Sequence, residues 1–169
     1  VAFTGPISVG LPWLSANRFD AGSAGFGLMA SGFGAGALIG AIVAGSVGRI
    51  RHQGGALLAI SAMLGLGLGA IGLAPNVAVV TLIAVLIGLG VGFTNVTVVS
   101  WIQQRTETAM LGRVMSIMML GSVGLAPLSL VVTGVLIDLQ PTLVYLGAGA
   151  IILAAVAVGA ITRADRVLG

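Results

Sequence analysis

The chain has 169 residues, of which 58% are hydrophobic and only 7% charged, with a mean hydropathy of +1.20 and a formal charge of +3. Eleven charged side chains cannot clothe a soluble domain of this length, whereas apolar runs of about 20 residues match a bilayer, so the composition describes an integral membrane protein. Its basic character therefore reads as loop anchoring and not as nucleic-acid binding, and the absence of cysteine excludes disulfides and thiolate metal sites.

Six apolar segments follow when the chain is divided at its charges and prolines: Val1–Ser15, Gly22–Gly48, Gly55–Leu73, Val77–Ile102, Val114–Ile137 and Leu143–Ile161. The expected fold is all-α and integral to the membrane, with the last five segments long enough to span. The first is short for a span. It begins at Val1 without a basic n-region, which suggests a fragment whose first helix is truncated, not a signal peptide. No segment alternates as a membrane barrel strand would.

Segment two carries Gly32, Gly36 and Gly40 at a spacing of four, which puts them on one helix face where another backbone can approach closely. Between segments two and three, "GRIRHQGG" supplies Arg49, Arg51 and His52, and a lone solvated loop histidine fits better than a ligand or proton relay. Segment four opens after "LAPN" and bears Thr81, Gly88, Gly92 and Asn95 along one stripe. Asn95, with Thr94, Thr97 and Ser100 around it, is the most polar group expected well inside a span. It must face protein or a water-filled path, as helix glue or as substrate lining.

The stretch "QQRTETAMLGRVMSI" ends 52 residues, Gln53 to Gln104, that contain no charge and no histidine, and it places Arg105, Glu107 and Arg113 within nine positions. Segment five then aligns Met115, Met119, Ser122, Ala126, Ser129 and Thr133, with Pro127 expected to bend the helix. Alternating the loops across a membrane puts Arg49, Arg51, Arg105, Arg113, Arg163 and Arg166 on one side, with only Arg18, Asp20 and Asp138 opposite. The positive-inside rule makes the arginine-rich side cytoplasmic: loops 49–54 and 103–113 and the C-terminus. The four carboxylates are scattered, no pair stands at helical spacing for acid–base work, and no metal cluster or phosphate loop is legible, so neither an enzyme nor a cofactor is expected.

Three motifs carry a family resemblance: "GSVGRIRHQ", "QQRTETAMLGRVMS" and "APLSLVVTGVLID". The chain resembles the carboxy-terminal six-helix half of a major facilitator superfamily transporter, closest to the bacterial drug and siderophore efflux branches. The resemblance implies a secondary active transporter in the bacterial plasma (inner) membrane. It would move a small, partly apolar molecule outward by alternating access, with proton coupling open, together with the missing N-terminal six-helix half. It further implies that Thr94, Asn95, Thr97 and Ser100 line the substrate path. Gly32, Gly36, Gly40, Ser122, Ala126, Ser129 and Thr133 would meet the other half. Arg49, Arg51, Glu107, Gly112 and Arg113 would form a cytoplasmic gate, although Arg49 stands where the family usually carries an acid. In that gate, Arg113 would latch to an acidic loop residue of the missing half. Two other readings stand beside this one: the six-span permease subunit of an ABC-type transporter, which "ETAMLG" faintly resembles at a coupling loop, and a membrane-embedded enzyme.

Overall fold

The computed structural model describes residues 3–47, 53–106 and 110–168, with the backbone alone at 47, 53, 54, 122 and 162–168. Every regular element among these residues is helical. Helix α1 covers residues 6–18, and α2 to α7 are Gly22–Val47, Gln53–Leu73, Val77–Arg105, Leu111–Gly124, Ala126–Ile137 and Pro141–Leu168. Five helical stretches are long and apolar enough to cross a membrane: 22–46, 55–73, 77–105, 111–137 (α5 with α6) and 141–161.

Helix α1 falls short of a span, and its hydrogen bonding is unusual. Pro6–Gly10 and Leu14–Arg18 are wide π-type turns flanking the three α-helical residues Leu11–Trp13. Pro12 explains the widening. Its ring would press on the carbonyl four residues back, at Ser8 inside the first wide turn, and it offers no N–H to the ladder. The reversal into α2 uses Asp20 (φ 49°) and Gly22 (φ 54°), left-handed positions that short polar residues and glycine tolerate. Ser15 locks the turn by donating its hydroxyl to the Gly22 carbonyl at 2.6 Å, while its own carbonyl accepts from the Ala21 N–H. Helix α4 starts cleanly because the Asn76 side chain accepts from the Val79 N–H at 3.0 Å.

Two tight pairings organise the bundle, α2 with α4 and α3 with α7, and α3 bridges them by also packing on α4. Glycines set both. A methyl group on Gly36 or Gly40 would run into the carbonyls of Val85 and Leu89, and one on Gly88 or Gly92 into those of Phe33 and Ala37. The paired numbers rise together, so α2 and α4 run parallel. In the second pair Gly65 meets Gly149 and Leu153 while Gly72 meets Thr142 and Tyr145, so α3 and α7 run antiparallel. Helix α1 lies parallel to α6, Gly5 against Ser129 and Thr133 and Gly10 against Ile137. These directions alternate along the chain and put the turns at 19–21, 74–76 and 138–140 at one end.

That end is sealed. Leu11, Leu14, Met29, Leu68, Ile71, Val80, Ile137 and Tyr145 form the buried core there. Polar ties sit around them. Arg18 donates to the Gly72 carbonyl at 2.7 Å, the Trp13 indole N–H donates to Asp138 Oδ1 at 2.7 Å, and the Tyr145 hydroxyl donates to the Pro6 carbonyl at 3.0 Å. Toward the other end packing thins. The last fully buried residue of α4 is Gly92, and the α4 residues beyond it, 93–105, are half-buried or exposed.

The fifth segment departs from a single bent helix. It breaks at Leu125, where α5 ends, and Pro127 stands in the first turn of α6, the position where its missing N–H costs least. Helix α6 is held against α1 and α7, but α5 pairs to any extent only with α6.

Candidate functional site

The polar residues of α4 follow a strict order. From Val77, seventeen residues to Phe93 include one polar side chain, Thr81, whose hydroxyl is spent on the Val77 carbonyl at 2.9 Å. Thr94, Asn95, Thr97 and Ser100 come next, then Trp101, Gln103, Gln104 and Arg105. At about 1.5 Å per residue, Asn95 lies about 27 Å from the start of α4, near the far edge of a hydrocarbon layer about 30 Å thick. The site is thus at the open mouth of the bundle, not at its middle.

Within that mouth the four side chains point different ways. Thr94 is one turn beyond Gly90, whose face meets Ile60, Met63 and Leu64 of α3, so it stands toward α3. Its hydroxyl is buried without a hydrogen-bond partner, at a cost of about 1–3 kcal/mol. Asn95, on the next face round, is exposed, and Thr97 and Ser100 are half-buried. An exposed Asn95 does not bridge helices within this chain, which leaves its amide free for a ligand, for water or for another chain.

Of the small faces expected to meet another half, the glycine face of α2 and Ser129 and Thr133 of α6 are covered inside the chain. Gly32, Gly36 and Gly40 are covered by Thr81, Val85 and Leu89 of α4. Ser129 and Thr133 are each only 4% exposed, and the Ser129 hydroxyl accepts from the Gly5 N–H at 2.8 Å. Ala126 is half-buried at the start of α6. Ser122 lies in α5, one helix away from Ser129 and Thr133 and across the break at Leu125. The physical reason is that a glycine stripe specifies close backbone approach without specifying whose backbone approaches, and a helix of the same chain is nearest.

Of the gate candidates, Arg49, Arg51 and Glu107 lie outside the described residues. Gly112 and Arg113 are exposed in the first turn of α5, facing open space, and Ser116 bonds back to the Gly112 carbonyl at 2.9 Å. Arg105 behaves differently. Its guanidinium lies over the Trp101 ring, 4.8 Å from the centroid, in the last turn of α4.

Two apolar cavities, which sequence reasoning missed, flank α7. One of about 360 Å³ lies between Pro6, α6 and α7, over Ser129 and Thr133. The second, of about 500 Å³, lies between Phe3, α3 and α7, with Ser61 on its wall, and Phe3 leans on Phe33 of α2 at 6.5 Å. No periodicity signals such cavities, because each is bounded by residues from three separated segments. No group of three or more His, Cys, Asp or Glu side chains that could hold a metal exists among the described residues. Comparison with protein-family models, curated proteins and solved structures returned no match of any kind.

Proposed function

We propose that this chain is the six-helix carboxy-terminal half of a major facilitator superfamily transporter, moving a small, partly apolar molecule across a bacterial plasma membrane by alternating access. The observation that carries the reading is the asymmetry of the bundle. One end is closed by the core and the Arg18, Trp13 and Tyr145 ties, and the other opens around the uncharged polar groups of α4. Six of the seven arginines follow the open end in the chain's alternation, which makes that mouth cytoplasmic by the positive-inside rule. A half-transporter held in its inward-open state has this shape, with the substrate path between it and the missing N-terminal half.

In this scheme Asn95, Thr97 and Ser100 are the polar groups a substrate meets once past Gln103, Gln104 and Arg105, with Thr94 turned toward α3 behind them. They are neutral, so they select by hydrogen bonding and leave charge coupling to the other half. Asn95→Leu in the full-length transporter tests the role, by uptake into inverted vesicles alongside an unfolding curve. The expected result is altered transport or substrate preference at unchanged stability, since Asn95 is exposed and supports no packing. Unchanged transport in a stable Asn95→Leu protein removes it from the path.

A further inference from the structure

The chain has two tryptophans, and the fold sends them to opposite ends: Trp13 to the sealed end and Trp101 to the open one. Helix α4 measures the distance between these levels. Its capped start at Asn76 stands with the turns at 74–76, and Trp101 follows 24 residues after Val77, about 36 Å along the axis. The hydrocarbon layer accounts for about 30 Å of that, so Trp101 reaches the headgroup layer, and Arg105, one turn further, stays within or just beyond it. Indole rings partition to this layer.

At that depth Arg105 is held against an aromatic ring. The Arg105 guanidinium carbon lies over the Trp101 ring, 4.8 Å from its centroid, and both side chains are exposed. No ion pair involving Arg105 occurs among the described residues, and its position in the last turn of α4 sets the cation against the negative end of the helix dipole. An exposed guanidinium supported by a ring presents the fork of donors that matches two oxygens of a phosphate. Arg18 at the other end also lies over a ring, that of Phe19 at 5.7 Å, but it donates from one nitrogen to the Gly72 carbonyl.

We propose that Trp101 and Arg105 form a binding site for the phosphate of an anionic lipid headgroup, with the ring supporting the guanidinium and the guanidinium taking the phosphate oxygens. The site depends on the chain's lying in a membrane and not on its being a transporter. Held this way, a lipid would pin the end of α4 that carries Thr94 and Asn95.

The test uses the full chain purified in a neutral detergent and incubated with phosphatidylglycerol, with diacylglycerol of the same chains, or with phosphatidylglycerol plus excess inorganic phosphate. Bound lipid is counted by native mass spectrometry. Retention of phosphatidylglycerol over diacylglycerol is expected, falling about tenfold in Arg105→Gln and in Trp101→Ala and less in Trp101→Phe, which keeps an aromatic face. Both positions are exposed at a helix end, so these variants should fold, and an unchanged circular dichroism spectrum checks that. Arg105→Gln retaining the lipid as well as the wild type, or diacylglycerol retained equally, overturns the site. Full displacement by inorganic phosphate would show a free-anion site and overturn the lipid assignment.

Discussion

Adding one methyl group to Gly36 tests the central pairing of the fold. Built on the present backbone, that carbon collides with the Val85 carbonyl and lies 3.0 Å from the Leu89 nitrogen. Both obstacles are main chain, so no side chain can swing aside, and α2 must move away from α4. Overpacking of this kind costs about 1–3 kcal/mol, offset by up to about 1 kcal/mol because alanine is the better helix former. Gly34 is the internal control, since it lies on the opposite face with nothing within 4 Å of its added carbon. Gly34→Ala should show the propensity gain alone, leaving a gap of about 1–3 kcal/mol between the two variants. The double variant Gly36→Ala/Gly40→Ala should cost less than the sum of its parts, because one outward shift of α2 relieves both clashes. Unfolding of the 169-residue chain in mixed micelles, followed by circular dichroism, compares the wild type, the single variants Gly34→Ala, Gly36→Ala and Gly40→Ala, and the double variant. Equal midpoints for Gly36→Ala and Gly34→Ala would refute the close α2–α4 approach. They would return the Gly32–Gly36–Gly40 face to a partner outside this chain.

Ser129→Ala should destabilise by about 1–3 kcal/mol, because it strands the buried Gly5 N–H, whereas Ser116→Ala, whose hydroxyl only bonds back within an exposed turn, should change the unfolding midpoint little. Tyr145→Phe removes one hydrogen bond to the Pro6 carbonyl and keeps the ring, so a loss of about 0.5–1.5 kcal/mol is expected in the same assay. Single cysteines at Gln140 and Gln104, both exposed, should react with an impermeant reagent from opposite faces of sealed vesicles, Gln104 from the cytoplasmic one; labelling of both from one face overturns the helix alternation. On the proposed transporter reading, Arg113→Gln in the assembled transporter should raise cytoplasmic accessibility of its cavity and slow turnover, measured by alkylation rate and flux, and Arg105→Gln should do so far less. Equal behaviour of the two removes the latch.

Hydropathy located the spans because it reports what lies in lipid, and it ended α4 at Ile102 because Gln103, Gln104 and Arg105 are polar. The helix runs to Arg105 all the same, since backbone hydrogen bonds propagate regardless of what the side chains face. The same reasoning lengthens α7 past Ile161. Pro127 was legible as a disturbance, but whether a proline bends a helix or begins a new one depends on the bonds at Leu125, which sequence does not display. At the candidate site, residue type singled out Asn95, yet counting from the ends of a run could not tell a mid-membrane amide from one at the mouth. The capped start at Asn76 supplies the origin from which depth is measured. The ties of Trp13 and Tyr145 were invisible for another reason, each joining residues more than 120 positions apart.

The break at Leu125 turns the fifth crossing into two rods of unequal restraint. Helix α6 is moored by Ser129 and Thr133 against α1, while α5 projects 14 residues from the joint, about 21 Å, with no other mooring of any extent. Such geometry is a lever. A swing of about 10° at Leu125 carries the first turn of α5, and Arg113 with it, sideways by about 3–4 Å. That distance is enough to make or lose a contact between charged groups while every buried contact of α6 stays in place. Mechanical advantage of this sort lets a small repacking near the middle of the bilayer be read out as a full contact change at its surface.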